Sequence, residues 1–234
     1  NKALFKFDAA VKKVLALNAG LAASIPLYNM IAHSCMAWIV ALAKPSREVY
    51  IAEERAIQLL TRGPWMKIPQ ALLAATNSPL PQKVKLLANT SVAGRARVAL
   101  KTSKLFPQIQ QRYHGLKMEE ESTLRSPMHE WIFKDSMISG LVEACSDTRL
   151  SSIVATKDDG AFQSRAHKEL VAAAGQYDMH SLFHRRYSKR ADGAVAMDEA
   201  TRSLAFINAV RGSPPAVISA TLKSVLNAWC TAGN

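Results

Sequence analysis

The chain has 234 residues, about half of them apolar, with 10 glycines, 10 prolines and a formal net charge of +12. That composition argues against collagen-like and low-complexity chains and suffices for one large domain or two small ones. Three widely spaced cysteines (Cys35, Cys145, Cys230) without a C-x-x-C argue against a disulfide framework or a four-cysteine zinc site, and no apolar run reaches the ~18–20 residues of a membrane span.

Alanine and leucine dominate and alternating β-branched runs are rare, which predicts helices throughout. Leu4, Phe7, Val11, Val14 and Leu15 repeat at helical spacing in a first helix over about 4–23, with Lys12 and Lys13 outward. Pro26 is expected to open a second helix over 26–43, where a missing N–H costs nothing. That helix is apolar nearly all round and should be central. Ser46 and Glu48 suit the start of a third, over 47–60, which Gly63 and Pro64 stop. A short helix over 69–75, the loop "TNSPLP" and a longer helix over 82–102 follow. The last is expected to bury Val84, Leu87, Ala88, Ala96 and Leu100 and to turn Lys83, Lys85, Arg95, Arg97 and Lys101 to solvent. Gly94 weakens its middle by ~1 kcal/mol relative to alanine.

The polar stretch from His114 to Pro127 reads as a linker. Beyond it, helices are expected over 128–145, 161–175, 179–189, 197–210 and 215–230, with Asp198 capping the fourth and Pro214–Pro215 opening the fifth. The expected fold is all-α: an irregular multi-helix bundle that divides into a basic helical domain (1–114), a linker (115–127) and a second helical domain (128–234).

Charge is segregated along the chain. Residues 1–105 carry 15 lysines and arginines against 4 acids, whereas residues 106–234 carry 15 against 14. Eleven bases and no acid lie between Glu54 and Glu119. An ordinary solvated face mixes both signs, so an acid-free basic tract is the footprint of a polyanion. Arg62, Lys67, Lys83, Lys85, Arg95, Arg97, Lys101 and Lys104 are the candidate contacts to nucleic-acid phosphate. Trp65, Tyr113 and His114 offer base-stacking faces. Trp65, between Pro64 and Pro69, reads better as a packing wedge at a helix junction.

Catalytic signatures are missing: there is no G-x-S-x-G, Walker loop or G-x-G-x-x-G. His180 and His184 stand four apart on one helical face, but H-E-x-x-H is absent and His167 completes no ligand set, so a zinc enzyme is the weakest reading. Asp158 and Asp159 in "KDDG" lack the hydrophobic hairpin of a two-metal site and read as a solvated turn. No catalytic residue, metal or cofactor is assigned.

The stretch "LYNMIAHSCMAWIVALAKPSREVYIAEERAIQLLTRGPW" resembles the region just after the palm in reverse transcriptases of LINE-like, non-LTR retrotransposons of protist and algal type. Tyr28, Asn29, Ala41, Leu42, Pro45, Glu54, Ala56, Ile57, Leu59, Leu60 and Gly63–Trp65 carry the match. "LNAWCTAGN" (Leu226–Asn234) is similar to a segment that precedes a Cys/His cluster in such proteins, but it lacks that segment's two arginines. The resemblance covers about a third of the chain and includes no F/Y-x-D-D. It implies the thumb and following helices of a polymerase, gripping the backbone of an RNA or DNA template–primer duplex beside an upstream palm. Asn1 and the ending "CTAGN" fit a piece of a longer protein, and the three scattered cysteines fit a reducing, intracellular setting, nuclear or cytoplasmic. The rival reading is a self-standing helical RNA-binding protein, nucleocapsid-like or ribosome-associated.

Overall fold

A wide helical turn interrupts the second helical region and sets the course of the N-terminal chain. The computed structural model describes residues 2–61, 68–101, 111, 136–150, 161–189 and 192–226. All regular structure among them is helical, and the fold is all-α. No described helix is long and apolar enough to cross a membrane.

Helix α1 (Lys2–Ala16) buries Phe7, Ala10, Val11 and Val14, as its periodicity predicts. It stops earlier than expected, because the backbone turns at Asn18 (φ 48°) and Gly20 (φ 73°), the residue types that enter the left-handed region most readily. Helix α2 (Gly20–Leu27) then runs through Pro26 rather than starting at it. Proline supplies no N–H to the preceding turn. Two residues later the chain widens into a π turn (Tyr28–Ala32), closed by the His33 N–H donating to the Tyr28 carbonyl, and continues as α3 (His33–Val40). Ser34 Oγ lies 2.7 Å from the Met30 carbonyl and 2.9 Å from that of Ile31, which supplies a donor to backbone oxygens in the widened turn.

The second helical region is not central all round. Tyr28, Ala32, Met36 and Val40 form its buried face, while Met30 and Trp38 are 72% and 74% exposed. The run is apolar on both faces, but only one face finds a partner among the described residues.

Helices α4 (Arg47–Thr61) and α5 (Gln70–Ala74) match expectation. Helix α6 (Leu87–Lys101) starts five residues late, because residues 82–86 are held outside it by tertiary hydrogen bonds. Then come α7 (Ser136–Cys145), a 3₁₀ turn (Thr148–Leu150), α8 (Phe162–Ala173), α9 (Met179–Tyr187), α10 (Gly193–Ala209) and α11 (Pro215–Val225). Asp178 caps α9, accepting from the Ser181 N–H at 2.9 Å. Asp198 caps nothing: α10 begins at Gly193, and Asp198 instead pairs with Arg202 one turn on, at 2.7 Å. Pro215 opens α11 as expected.

The chain forms two compact units that interleave in sequence: one of Asn1–Cys35, Ile51–Lys85 and Ala174–Asn234, the other of Met36–Tyr50 and Leu86–Ala173. This division differs from a sequential split at 115–127, a segment that lies outside the described residues. In the first unit, α1 and α2 pack on the π turn, α2 on α11, and α9 on α10. Its centre is Tyr28, fully buried, edge-on to Phe7 (85°, ring centres 6.4 Å apart) and to His33. The Tyr28 hydroxyl donates to Glu53 Oε1 at 3.2 Å. Burial first, then the charge of Glu53 and this hydrogen bond, push the hydroxyl above the ordinary tyrosine range, so it stays a donor.

In the second unit, α6 packs on α7 and α8 around Ala93, Ala96, Ala144, Leu150, Phe162, Ala166 and Leu170. Small residues let the backbones approach closely. A Cβ on Gly94 would lie 2.4 Å from that of Ala41, which explains the glycine in mid-helix.

Three substitutions test this packing. Gly94→Ala should lower the unfolding free energy, from denaturant titration, by about 1–3 kcal/mol, because overpacking against Ala41 outweighs the ~1 kcal/mol helix-propensity gain. Gly193→Ala, with open space around it, should be neutral or stabilising. Tyr28→Phe should cost about 1–3 kcal/mol in the same measurement, because it removes a donor from the buried Glu53 carboxyl.

Candidate nucleic-acid interface

The residues that α6 does not absorb form a basic segment held by hydrogen bonds on both edges. In the first unit, the Asn29 side-chain amide lies across Lys83–Lys85. Its Nδ2 donates to the Lys83 carbonyl at 2.9 Å, and its Oδ1 accepts from the Lys85 N–H at 2.9 Å. On the opposite edge the Val84 N–H donates to the Leu73 carbonyl at 3.0 Å. In extended backbone the carbonyl of one residue and the N–H two residues on share an edge while the N–H between them faces the other, and this hydrogen-bond pattern matches that of a strand-like segment. Val84 is buried, and Lys83 and Lys85 are exposed. Pleat alternation thus sends both lysines to the solvent side while valine anchors the segment from below.

Local sequence explains the clamp. Pro26 and the π turn place Tyr28 into the core, and Asn29 follows it as the next residue, where its short amide matches two peptide groups. No local pattern in the sequence links Asn29 to the segment it holds, because its partners lie more than 50 positions away. Tyr28 and Asn29 entered the sequence reading only as part of the family resemblance.

The other candidates separate. Arg95, expected in solvent, is buried at 4% exposure. Its Nη1 donates to the Gly140 carbonyl at 2.7 Å and its Nε to Ser91 Oγ at 3.1 Å. A Cβ on Gly140 would meet Nη1 at 2.6 Å, so the glycine makes room for the guanidinium. Burial lowers this guanidinium below its ordinary value, opposed by Glu143 and Tyr50. Arg95 therefore serves α6–α7 packing within the second unit. The helical-face reading failed because α6 is nearly surrounded, and a long side chain reached a carbonyl on the next helix.

Arg97 is half-buried in the same unit. Lys101 ends α6, and its side chain lies outside the described residues. Arg62, Lys67 and Lys104 lie outside them, as do the aromatic faces Trp65, Tyr113 and His114 and the acids Asp158 and Asp159.

The interleaved fold redistributes the charge. The first unit contains 16 basic and 7 acidic residues, +9 of the chain's +12, while the second contains 14 and 11. Exposed Lys12, Lys13, Arg55, Arg185, Lys189 and Arg211 join Lys83 and Lys85 in the first. Arg186 has a structural duty there: its Nη1 donates to the Leu226 carbonyl at 2.6 Å, at the C-terminus of α11.

His180 and His184 share a face of α9, but His180 Nε2 faces Thr201 Oγ1 at 3.3 Å. No group of three or more His, Cys, Asp or Glu able to hold a metal occurs among the described residues. No protein-family model, curated protein or solved structure matches the chain. Elemental analysis of the purified protein should return no stoichiometric zinc. One zinc per chain, lost in His184→Ala, would revive the metalloenzyme reading.

Proposed function

We propose that this chain is a non-catalytic helical module that binds nucleic-acid backbone, the thumb-like part of a retrotransposon-type reverse transcriptase. The observation that carries the reading is the uneven division of charge: +9 of the chain's +12 falls in one unit, built from three separate stretches of chain. A polyanion surface needs an excess of positive potential more than any one residue, and the first unit carries that excess. The ordered lysine pair at 83 and 85 gives that potential a fixed point of contact. Phosphate contacts position a duplex without reading its sequence, as a polymerase thumb must. The family resemblance around Tyr28 and Asn29 supports the thumb assignment, and the all-α fold is compatible with it.

The reading predicts a salt-dominated equilibrium. If about five phosphates are neutralised, the plot of log affinity against log salt for a duplex should have a slope of about −4.5, by fluorescence anisotropy. Affinity should be similar for unrelated sequences of equal length. A flat salt dependence, or no binding at low salt, would overturn it. Flanking coding sequence separates the polymerase assignment from a self-standing RNA-binding protein: an upstream F/Y-x-D-D supports the first, and an open reading frame confined to this chain the second.

A further inference from the structure

We infer that the segment Lys83–Lys85 is a preformed two-phosphate clamp that grips neighbouring phosphates of a single nucleic-acid strand, and that Asn29 is its positioning residue. The inference rests on the nucleic-acid reading above and specifies how one contact is made.

Three hydrogen bonds fix the segment from both edges: two from the Asn29 amide at 2.9 Å and one from Val84 to Leu73 at 3.0 Å. Leu73 and Val84 are buried, so the inner side of the segment is tied to the core of the first unit. Most surface lysines lose backbone and side-chain freedom when they bind. Here the backbone freedom is already gone. In extended backbone, residues two apart sit about 6.6 Å apart on one face. The two ammonium groups therefore leave the surface side by side, in the direction opposite Val84. That arrangement suits consecutive phosphates along one strand. A lysine pair on a helix at i and i+2 would diverge instead. Lysine, with its three rotatable donors, meets phosphate as a point charge, so the clamp has no preference for base sequence.

The Asn29 amide carries no charge. Asn29→Ala therefore leaves the net charge at +12 and both lysines in place, and removes only the two hydrogen bonds that align them. An unordered basic surface would not register that change. An aligned clamp would.

The test compares the protein with Lys83→Gln/Lys85→Gln and with Asn29→Ala, by salt titration against DNA duplex, RNA duplex and single-stranded oligonucleotides. The double lysine variant keeps every backbone hydrogen bond and should remain folded. Its salt slope should be shallower by about 1.8 on duplex and about 1.4 on a single strand. Asn29→Ala should shift the slope in the same direction, with faster hydrogen exchange at the Lys85 amide. An unchanged slope in the double lysine variant, with the protein itself still binding steeply, would overturn the clamp and leave the nucleic-acid reading standing. A loss seen on duplex alone would overturn the single-strand geometry, because the pair would then bridge two strands. An unchanged slope for folded Asn29→Ala would overturn the positioning role. Failure of the unmodified protein to bind any oligonucleotide would overturn the reading on which the clamp rests.

Discussion

The wide turn at Tyr28–Ala32 is the constraint on which the first unit depends. Helix α2 runs through Pro26, which supplies no N–H to the turn before it. The chain widens two residues later, and the widened turn sets two neighbouring side chains to different tasks. Tyr28 enters the core, where Phe7 and His33 meet its ring and Glu53 takes its hydroxyl. Asn29 meets the segment that follows α5 and holds it extended. Loosening the turn would disturb both at once, because adjacent residues cannot be re-aimed independently.

Charge in this protein has structural and superficial members, and only packing separates them. Arg95 and Arg186 each satisfy a backbone carbonyl, within the second and the first unit respectively. Buried guanidinium groups tolerate such positions because their planar fork donates several hydrogen bonds while the stem packs among apolar neighbours. Lys83 and Lys85 are the opposite case. Their backbone is immobilised while their ammonium groups stay in water, where attraction to a polyanion is available and salt-sensitive.

Cysteine chemistry follows the same division by environment. Cys145 lies against α6, its Sγ 4.0 Å from the Ala96 carbonyl, and burial pushes its thiol up to about 11. That is an inert thiol at neutral pH. Cys35 stands exposed on α3 with its Sγ 3.2 Å from the Ile31 carbonyl, a contact with the widened turn rather than with a redox partner.

The sequence alone determined the all-α class, the positions of α4, α5 and α11, and the segregation of charge. Those properties are local: apolar spacing, proline and glycine punctuation, and composition need no partner to be read. Tertiary structure alone decided which bases are surface and which are core. The first turn expected of α6 became an extended segment because Asn29 and Leu73 offered its peptide groups better partners than a helix would. Arg95 went inward because Gly140, 45 residues away, left space and a carbonyl for it. Helical periodicity assumes one buried face, and α6 is enclosed on most of its circumference, so the rule had no free face to assign. Long-range hydrogen bonds between residues far apart in sequence leave no periodic trace, and the proposed site is built from them.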